Sequence, residues 1–428
     1  MAKINKLKIE QIIFIALVLR IIILIISGYH PDLLNHIDWG NKLLSLGPKK
    51  FYENIFWDVS WPNQPFGTMI LFALCAFLKN IIFEFIELIN QNVGIFPSFI
   101  IPFISKNIHI WMVKLPFIIF DLGLGFLIYK IVLSFKPKQA KLASILFLFN
   151  PVIIYNSTIW GQTDSLINFS ALFGIYLAFQ RKYFSGIIIF LTTFLFKLSL
   201  IIYLPVSFIF LIKRYKDWKK FIPPVLVFFI IIIFMAVPFK LEGFSSLEWI
   251  WYMYTNRVLV RQGSMLNGNA FNFWGLIFSI NLSNSEFSKF LGITYQYWGR
   301  LLYLISLLPI WIKFLKNKLS LKNLLNILLL SSFSCFLFLT NMHERYLYPI
   351  FPLITILIFF KKTKINIKHL ALLSSLHFLN LYKLWYYPSI KILVTILDFA
   401  NSIVCRLFSL ILLLIFVKYY FKYLKSED

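Results

Sequence analysis

The sequence predicts an all-α polytopic membrane protein of about twelve transmembrane helices. The first ground is composition. Of 428 residues, 60% are hydrophobic and 14% are charged, and mean hydropathy is +0.79. Soluble domains carry about 25% charged residues. A bilayer-spanning helix needs about 20 apolar residues, so this apolar content fills about twelve spans. The second ground is the form of the apolar runs, which are long, unbroken and rich in Leu, Ile and Phe. An outer-membrane barrel needs short alternating strands instead. The third ground is the spacing of Lys and Arg, which gather between the runs. A soluble globular enzyme, a disordered chain and a secreted disulfide scaffold are excluded.

The basic clusters set the helix count. They are Lys3, Lys6 and Lys8; Lys136, Lys138 and Lys141; Arg181 and Lys182; Lys213, Arg214, Lys216, Lys219 and Lys220; Lys313, Lys316, Lys318 and Lys322; Lys361, Lys362, Lys364 and Lys368; and Lys418, Lys422 and Lys425. Cytoplasmic loops of membrane proteins carry an excess of Lys and Arg. With all seven clusters in the cytoplasm, the chain crosses twice between consecutive clusters. That gives twelve helices with both termini inside. The expected spans are 8–28, 109–134, 140–157, 165–180, 183–197, 199–212, 221–238, 290–312, 323–340, 346–360, 368–384 and 392–417. The net charge of +25 follows from these loops, so no nucleic-acid partner is expected.

The chain reads as a single integral-membrane domain, 1–428, with a long first external loop, 29–108, and a second external segment, 239–289. Within the first loop, residues 65–105 are apolar but interrupted by Lys79, Asn80, Glu84, Glu87 and Asn90. They read as interfacial helices, with a transmembrane hairpin as the other option. The N-terminal run to Ser27 lacks a small-residue cleavage site, so it reads as a retained first helix. Cys75, Cys335 and Cys405 are scattered, which is no metal or disulfide signature. Asn156 and Asn281 head N-x-Ser/Thr sequons of a kind that arises by chance.

Under this topology the unusual polar residues fall on the external side, at helix ends, which makes them a candidate site. Asp32 follows the first helix after His30-Pro31, and Asp38 precedes Trp39-Gly40. Either carboxylate suits a general base, which must reach a substrate hydroxyl and stay ionised. Asp32 is closer to the helix; a helix N-cap is the plainer role for each. Lys114 and Asp121 are seven residues apart, hence on one helical face, suiting an intramembrane ion pair or a polar contact with a neighbour. Asn150-Pro151 leads into Trp160-Gly161-Gln162-Thr163-Asp164. There Trp160 offers a flat face on which sugars stack, Gln162 and Asp164 offer hydrogen bonds to hydroxyls, and Asp164 can also cap the next helix. Lys197 sits in the apolar run Phe194-Leu195-Phe196-Lys197-Leu198. Such a lysine needs a partner, and a lipid-linked phosphate suits it, as does snorkelling to the interface. The densest cluster is Asn341-Met342-His343-Glu344-Arg345-Tyr346-Leu347-Tyr348-Pro349. Arg345 can grip a phosphate with two parallel hydrogen bonds, and His343 can donate to it. The second His of an HExxH zinc site is missing, and no GxGxxG, P-loop or GxSxG element occurs.

This set resembles the GT-C glycosyltransferases, in particular mannosyltransferases of the GPI mannosyltransferase 2 type and their prokaryotic relatives. The residues that carry the resemblance run over roughly 10–360. They are Asp32 to Trp39 with Gly47 to Tyr52, Lys114 to Asp121, Asn150-Pro151 through Asp164, Lys197, Asn269 to Trp274, and Met342 to Leu347. The Trp160-Gly161-Gln162-x-Asp164 and Met342-to-Leu347 segments are the specific ones. Where such proteins often carry a Pro-Pro pair late in the first external loop, this chain has Trp61-Pro62-Asn63-Gln64-Pro65.

The resemblance implies transfer of one sugar, mannose by analogy, from a dolichyl or undecaprenyl phosphate carrier to an acceptor hydroxyl on a glycan, lipid or protein. The reaction lies on the non-cytoplasmic face and inverts the anomeric centre, with Asp32 or Asp38 as base. Lys197, His343 and Arg345 would hold the donor phosphate. Trp160, Gln162, Asp164, Asn272 and Trp274 would hold sugar or acceptor, supported by Lys114, Asp121 and Glu344. No metal or other cofactor is implied, although Asp164 could join Asp32 around a divalent cation. A polytopic transporter or flippase is the rival from another class; it usually shows two similar halves, which this sequence lacks. A polymerase or ligase of lipid-linked glycans is the third reading. The Lys/Ile/Phe-rich character points to the plasma membrane of a prokaryote rather than to the endoplasmic reticulum.

Overall fold

A computed structural model describes residues 7–259, 264–280, 284–317, 319–361, 365–399 and 401–426. Lys3, Lys6, Lys318, Lys362, Lys364 and the Asn281 sequon lie outside the described residues. The chain is nearly all α-helical and is an integral multi-pass membrane protein. Its helices are α1 (Ile9–Ile26), α2 (Asp32–Phe51), α3 (Phe66–Val93), α4 (Ile100–Leu133), α5 (Ala140–Leu148), α6 (Pro151–Ile154), α7 (Asp164–Phe179), α8 (Tyr183–Phe196) and α9 (Tyr203–Tyr215). They continue as α10 (Ile222–Ala236), α11 (Ser246–Met253), α12 (Phe273–Phe278), α13 (Tyr295–Lys316), α14 (Leu321–Phe338), α15 (Ile350–Leu357), α16 (Ile367–Trp385), α17 (Lys391–Phe399) and α18 (Asn401–Leu424). A two-stranded hairpin pairs Lys289–Phe290 with Ile293–Thr294.

Among the described residues, seven helical segments are long and apolar enough to cross a membrane. They are Ile9–Ile26, Phe66–Val93, Ile100–Leu133, Trp218–Phe239, Tyr295–Lys316, Leu321–Phe338 and Ile403–Leu424. A bent pair, Pro137–Leu148 with Pro151–Trp160, makes an eighth, broken by 47°. The bend has a local cause. Asn150 caps α6, its side chain accepting from the Val152 amide at 3.0 Å, and Pro151 cannot continue the preceding helix.

Helix falls on each of the twelve expected spans, with differences in extent. The expected 346–360 span shortens to α15, eight residues between Pro349 and the turn after Leu357. The expected 392–417 span is divided between α17 and α18. Residues 66–93 form one continuous helix, because the polar residues there do not break it. It stops only at Gly94, whose φ of +62° closes it in the left-handed conformation.

The first half of α3, from Phe66 to Ala76, is its buried part. Gly67 lies so close to α8 that a Cβ would come within 2.6 Å of the Leu195 carbonyl oxygen. Thr68 donates to the Phe196 carbonyl at 2.5 Å. Further along, Cys75, Ala76 and Lys79 share one crevice with His109 and Val113 of α4 and with Ile37 and Asn41 of α2. The 34 residues of α4 rise about 51 Å at about 1.5 Å each, more than the roughly 30 Å hydrocarbon core.

A buried ionic knot ties α1, α4 and two later segments together. Arg20 of α1 and Asp121 of α4 are both fully buried, 3.4 Å apart. Arg20 also donates to the Leu148 carbonyl at 2.8 Å and the Ala16 carbonyl at 3.2 Å. Asp121 accepts from the Ser157 hydroxyl and, at 3.2 Å, from Tyr348. Intramembrane charges persist when paired and hydrogen-bonded in this way.

On the other flank, α7, α8, α9, α10 and α11 surround a cleft of about 720 Å³ with almost wholly apolar walls. Gly186, Phe221, Leu198 and Tyr254 are among the residues that line it, and Leu198 is next to Lys197 in the chain. Glycine at 174 and 186 lets α7 and α8 touch; a Cβ on either would come within 2.6 Å of the other helix's backbone.

Candidate active site

The turn after α1 presents the first carboxylate. Lys114 donates to the Gly28 carbonyl at 2.8 Å and reaches the Ser27 hydroxyl at 3.5 Å, which clamps the turn. His30 Nδ1 accepts from the Asp32 amide at 3.1 Å. Asp32 is then the first residue of α2, where the helix dipole favours a negative charge. The second segment is the π-helical turn Tyr155–Trp160, closed by Gly161 at φ +85°. A side chain at Gly161 would be strained by that φ, and its Cβ would lie 2.6 Å from Leu33. The third segment, 341–348, is pinned to the 266–269 loop. The Asn341 amide donates to Leu266, and the Gly268 amide donates to Met342, each at 2.9 Å.

These segments converge with the end of α8. Gln162 Nε2 donates to Asp32 Oδ2 at 2.9 Å. Arg345 lies 3.5 Å from the same oxygen and 3.2 Å from Glu344 Oε1. Lys197 donates to Asp164 Oδ1 at 2.9 Å, and Asn156 donates to Asp164 Oδ2 at 3.3 Å. The Tyr346 ring joins the two ion pairs, with Lys197 at 5.8 Å and Arg345 at 5.5 Å from its centre. His343 packs edge-on against that ring at 5.3 Å. Asp32, Gln162, Asp164, Lys197, His343, Glu344 and Arg345, distant in sequence, thus form one cluster.

Charge in the cluster is tightly balanced. Burial pushes the Asp32 carboxyl up, but Arg345 above all pulls it below its ordinary value, aided by Gln162. Asp32 is therefore ionised at neutral pH and keeps 34% of its side chain exposed. Burial lowers His30 to about 4, and His36 and His343 to about 3 each, so all three imidazoles are neutral. Burial raises the fully buried Glu344 to about 7 against the pull of Arg345. Among the described residues, His36 Nδ1, Asn156 Oδ1, Trp160 Nε1, Thr163 Oγ1, Glu344 Oε2 and Arg345 Nε are buried with no hydrogen-bond partner. Buried polar atoms are normally paired, so the cluster has unused capacity for a polar ligand or ordered water. Among the described residues, no three of His, Cys, Asp and Glu come together as a metal site.

Several expected site residues are committed elsewhere. Asp38 lies inside α2 rather than at its cap, with Lys42 at 2.9 Å and the Asp58 amide at 3.3 Å, so it braces the loop after α2. Lys114 pairs with a backbone carbonyl, and Asp121 takes Arg20 as its ion partner; the two do not pair with each other. Trp160 is fully buried, its face covered by His30 at 4.2 Å, so it offers no open stacking surface. Asn272 caps α12 and donates to the Phe336 carbonyl, while Trp274 donates to the Phe338 carbonyl. Asp164 does not act as a cap; Thr163 holds that position and Asp164 pairs with Lys197.

Arg20 goes unnamed in the sequence reading, and Asn156, Tyr346 and Tyr348 fall within its segments without a site role of their own. A lone Arg in an apolar run was a legible signal for Arg20; the tyrosines carried none. No family model matches this chain, and no curated protein matches it.

Proposed function

We propose that this chain is a GT-C-type glycosyltransferase that moves one sugar, mannose by analogy, from a polyprenyl-phosphate carrier to an acceptor hydroxyl. The observation that carries the reading is the cluster itself. A carboxylate kept ionised, Asp32, stands beside Arg345, Lys197 joins the same cluster through Asp164 and the Tyr346 ring, and Leu198, next to Lys197 in the chain, lines an apolar cleft. Such a cleft suits an isoprenoid tail, and in this reading a phosphate carried by that tail would meet Lys197 and Arg345 where the tail leaves the cleft.

In this reading Asp32 takes the proton of the acceptor hydroxyl. The freed oxygen forms a bond to the anomeric carbon from the face opposite the phosphate. The carbon–oxygen bond to phosphate breaks, and its electron pair leaves with the phosphate, which departs as a monoester anion. Inversion follows from that geometry, through a transition state of oxocarbenium character. Positive charge placed where the phosphate anion develops lowers the barrier, a role for Arg345 and Lys197. The neutral His343 can donate a hydrogen bond but carries no charge there. Glu344 steadies Arg345 through its 3.2 Å contact. The proton gained by Asp32 offsets the charge gained by phosphate, so the cluster's net charge stays constant through the step.

The topology proposed with it has twelve crossings, by α1, α4, the bent pair, α7 to α10, α13 to α16 and α18. The helices α2 and α3 then lie in the first external loop, which agrees with the contacts of α3 at the Lys114 and Lys197 ends. The site faces the non-cytoplasmic side of a prokaryotic plasma membrane.

The test is turnover by purified protein of radiolabelled polyprenyl-phosphate mannose, glucose and galactose, with a panel of glycan, lipid and protein acceptors. Labelled acceptor and free polyprenyl phosphate should appear together, and both should be lost in Asp32→Asn. Equal product from wild type and Asp32→Asn, or none from any donor, defeats the proposal.

A further inference from the structure

We propose that His36 binds a hydroxyl of the transferred sugar and so helps set which sugar the site accepts. The proposal rests on the transferase reading above and adds a residue that recognises the donor's sugar.

His36 follows Asp32 by one helical turn on α2, so the two side chains share a face of that helix. Asp32 keeps 34% of its side chain exposed, so that face opens to the outside of the fold at its Asp32 end. Burial weighs most on the His36 imidazole, followed by the charges of Asp32, Lys197 and Arg345. His36 therefore stands among the groups assigned above to the base and to the donor phosphate.

The ring is held in one place. It lies flat on Phe72 of α3, with centres 4.3 Å apart and planes 19° apart. Gly40, a further turn along α2, lets the two helices meet there, because a Cβ on it would come within 2.4 Å of the Phe72 carbonyl oxygen. Trp39 stands 5.9 Å from His36 and donates to the Ser60 carbonyl at 2.8 Å. This packing fixes the plane of the imidazole and leaves the hydrogen bonding to its edge.

That edge is unused. His36 is 3% exposed, and its Nδ1 is buried with no hydrogen-bond partner. No hydrogen bond joins Nε2 to a described residue either. Buried polar atoms are normally paired, so a rigid ring with both nitrogens unpaired has capacity for a ligand.

The chemistry of the ring selects the ligand group. Burial lowers the imidazole to about 3, so it is neutral at pH 7. A neutral imidazole offers one N–H donor and one lone pair. A hydroxyl, which both accepts and donates, matches that pair, whereas a phosphate anion needs positive charge. In the transfer step the sugar lies between the base and the departing phosphate. A group that stands near Asp32, Lys197 and Arg345 alike therefore meets the sugar. An ordered water can fill the same positions, and the experiment separates the two.

The full chain in detergent is studied as wild type, His36→Phe and His36→Gln. The ligands are polyprenyl-phosphate mannose, glucose and galactose, then the monodeoxy analogues of the one bound best, with bare polyprenyl phosphate as the probe without a sugar. Affinity is read by calorimetry, and turnover on the same samples. Phenylalanine keeps the stack on Phe72 and removes both nitrogens; His36→Leu replaces it in the series if it does not fold. One hydrogen bond corresponds to about tenfold in affinity. One deoxy analogue should bind wild type about tenfold more weakly than its parent. His36→Phe should bind that analogue and its parent alike, about tenfold below the wild-type parent, and should bind bare polyprenyl phosphate as wild type does. His36→Gln, which keeps a donor amide, should recover much of the loss. Deoxy penalties that are the same in wild type and His36→Phe overturn the proposal, as does an equal fall in affinity for bare polyprenyl phosphate. Sugar transfer by wild type with either of those results overturns the role of His36 and leaves the transferase reading standing. His36-dependent binding of the sugar by a chain that transfers none supports the role of His36 and overturns the transferase reading.

Discussion

Removing either partner of the Lys197–Asp164 pair should destabilise the fold, and removing both should cost no more than removing one. The two side chains are 13% and 6% exposed and 2.9 Å apart. At an effective dielectric of about 20, two unit charges at that separation attract by about 6 kcal/mol. Desolvation offsets most of that, so the intact pair has small net worth, whereas stranding one buried charge costs about 3–5 kcal/mol. Asp164 keeps its Asn156 hydrogen bond, and Lys197 keeps the Tyr346 ring, which places each single variant near the lower bound. Lys197→Met and Asp164→Asn should each lose about 3 kcal/mol, with a coupling of about the same size in the double variant. Reversible unfolding in mixed micelles, followed by circular dichroism, measures all three. Single effects that add to within about 0.5 kcal/mol would show that the two charges do not depend on each other.

Three further outcomes are expected. Asp32→Asn should cut turnover by about 10²–10⁴ with donor affinity retained, and Asp38→Asn, which loosens the Lys42 and Asp58 contacts, should lose less; equal losses would place the base elsewhere. Because Arg345 holds Asp32 below its ordinary value, transfer should persist as pH falls through the usual carboxylate range. In Arg345→Ala, burial is left less opposed, so the acid limb of the normalised kcat/KM profile should move to higher pH; a limb that stays put refutes the coupling. In a variant lacking Cys75, Cys335 and Cys405, single cysteines at Asn63 and Asn341 should react with an impermeant maleimide from outside only, and one at Lys138 from inside only. Labelling of Asn341 from the cytoplasm sinks the twelve-crossing topology.

The helices were largely legible because their apolar runs must satisfy backbone hydrogen bonds internally in lipid. Lengths were less so. α15 is cut short by Pro349 and the turn after Leu357, while α3 runs through polar residues that looked like breaks. The cluster was legible where a charged or amide side chain interrupted an apolar setting, as at Asp32, Gln162, Lys197 and Arg345. Pairing was not, because partners lie on different helices. Lys114 and Asp121 share a face of α4, yet they take different partners, the Gly28 carbonyl in the turn after α1 and Arg20 within α1. Trp160, Asn272 and Trp274 show the limit of reading residue type alone. Each carries groups that can bind a sugar, but the fold buries them or spends their hydrogen bonds on its own backbone.

The apolar cleft opens to the outside of the fold, where Phe208, Phe229, Leu247 and Trp251 line it and remain 46%, 53%, 67% and 73% exposed. The lipid-tailed donor proposed above would then reach it by diffusion within the bilayer, never entering bulk water. Its governing concentration is a mole fraction in the membrane, not a molarity. Adding detergent at fixed ligand and protein should slow turnover by surface dilution alone, and affinities compared between preparations have meaning only at matched ligand-to-amphiphile ratios.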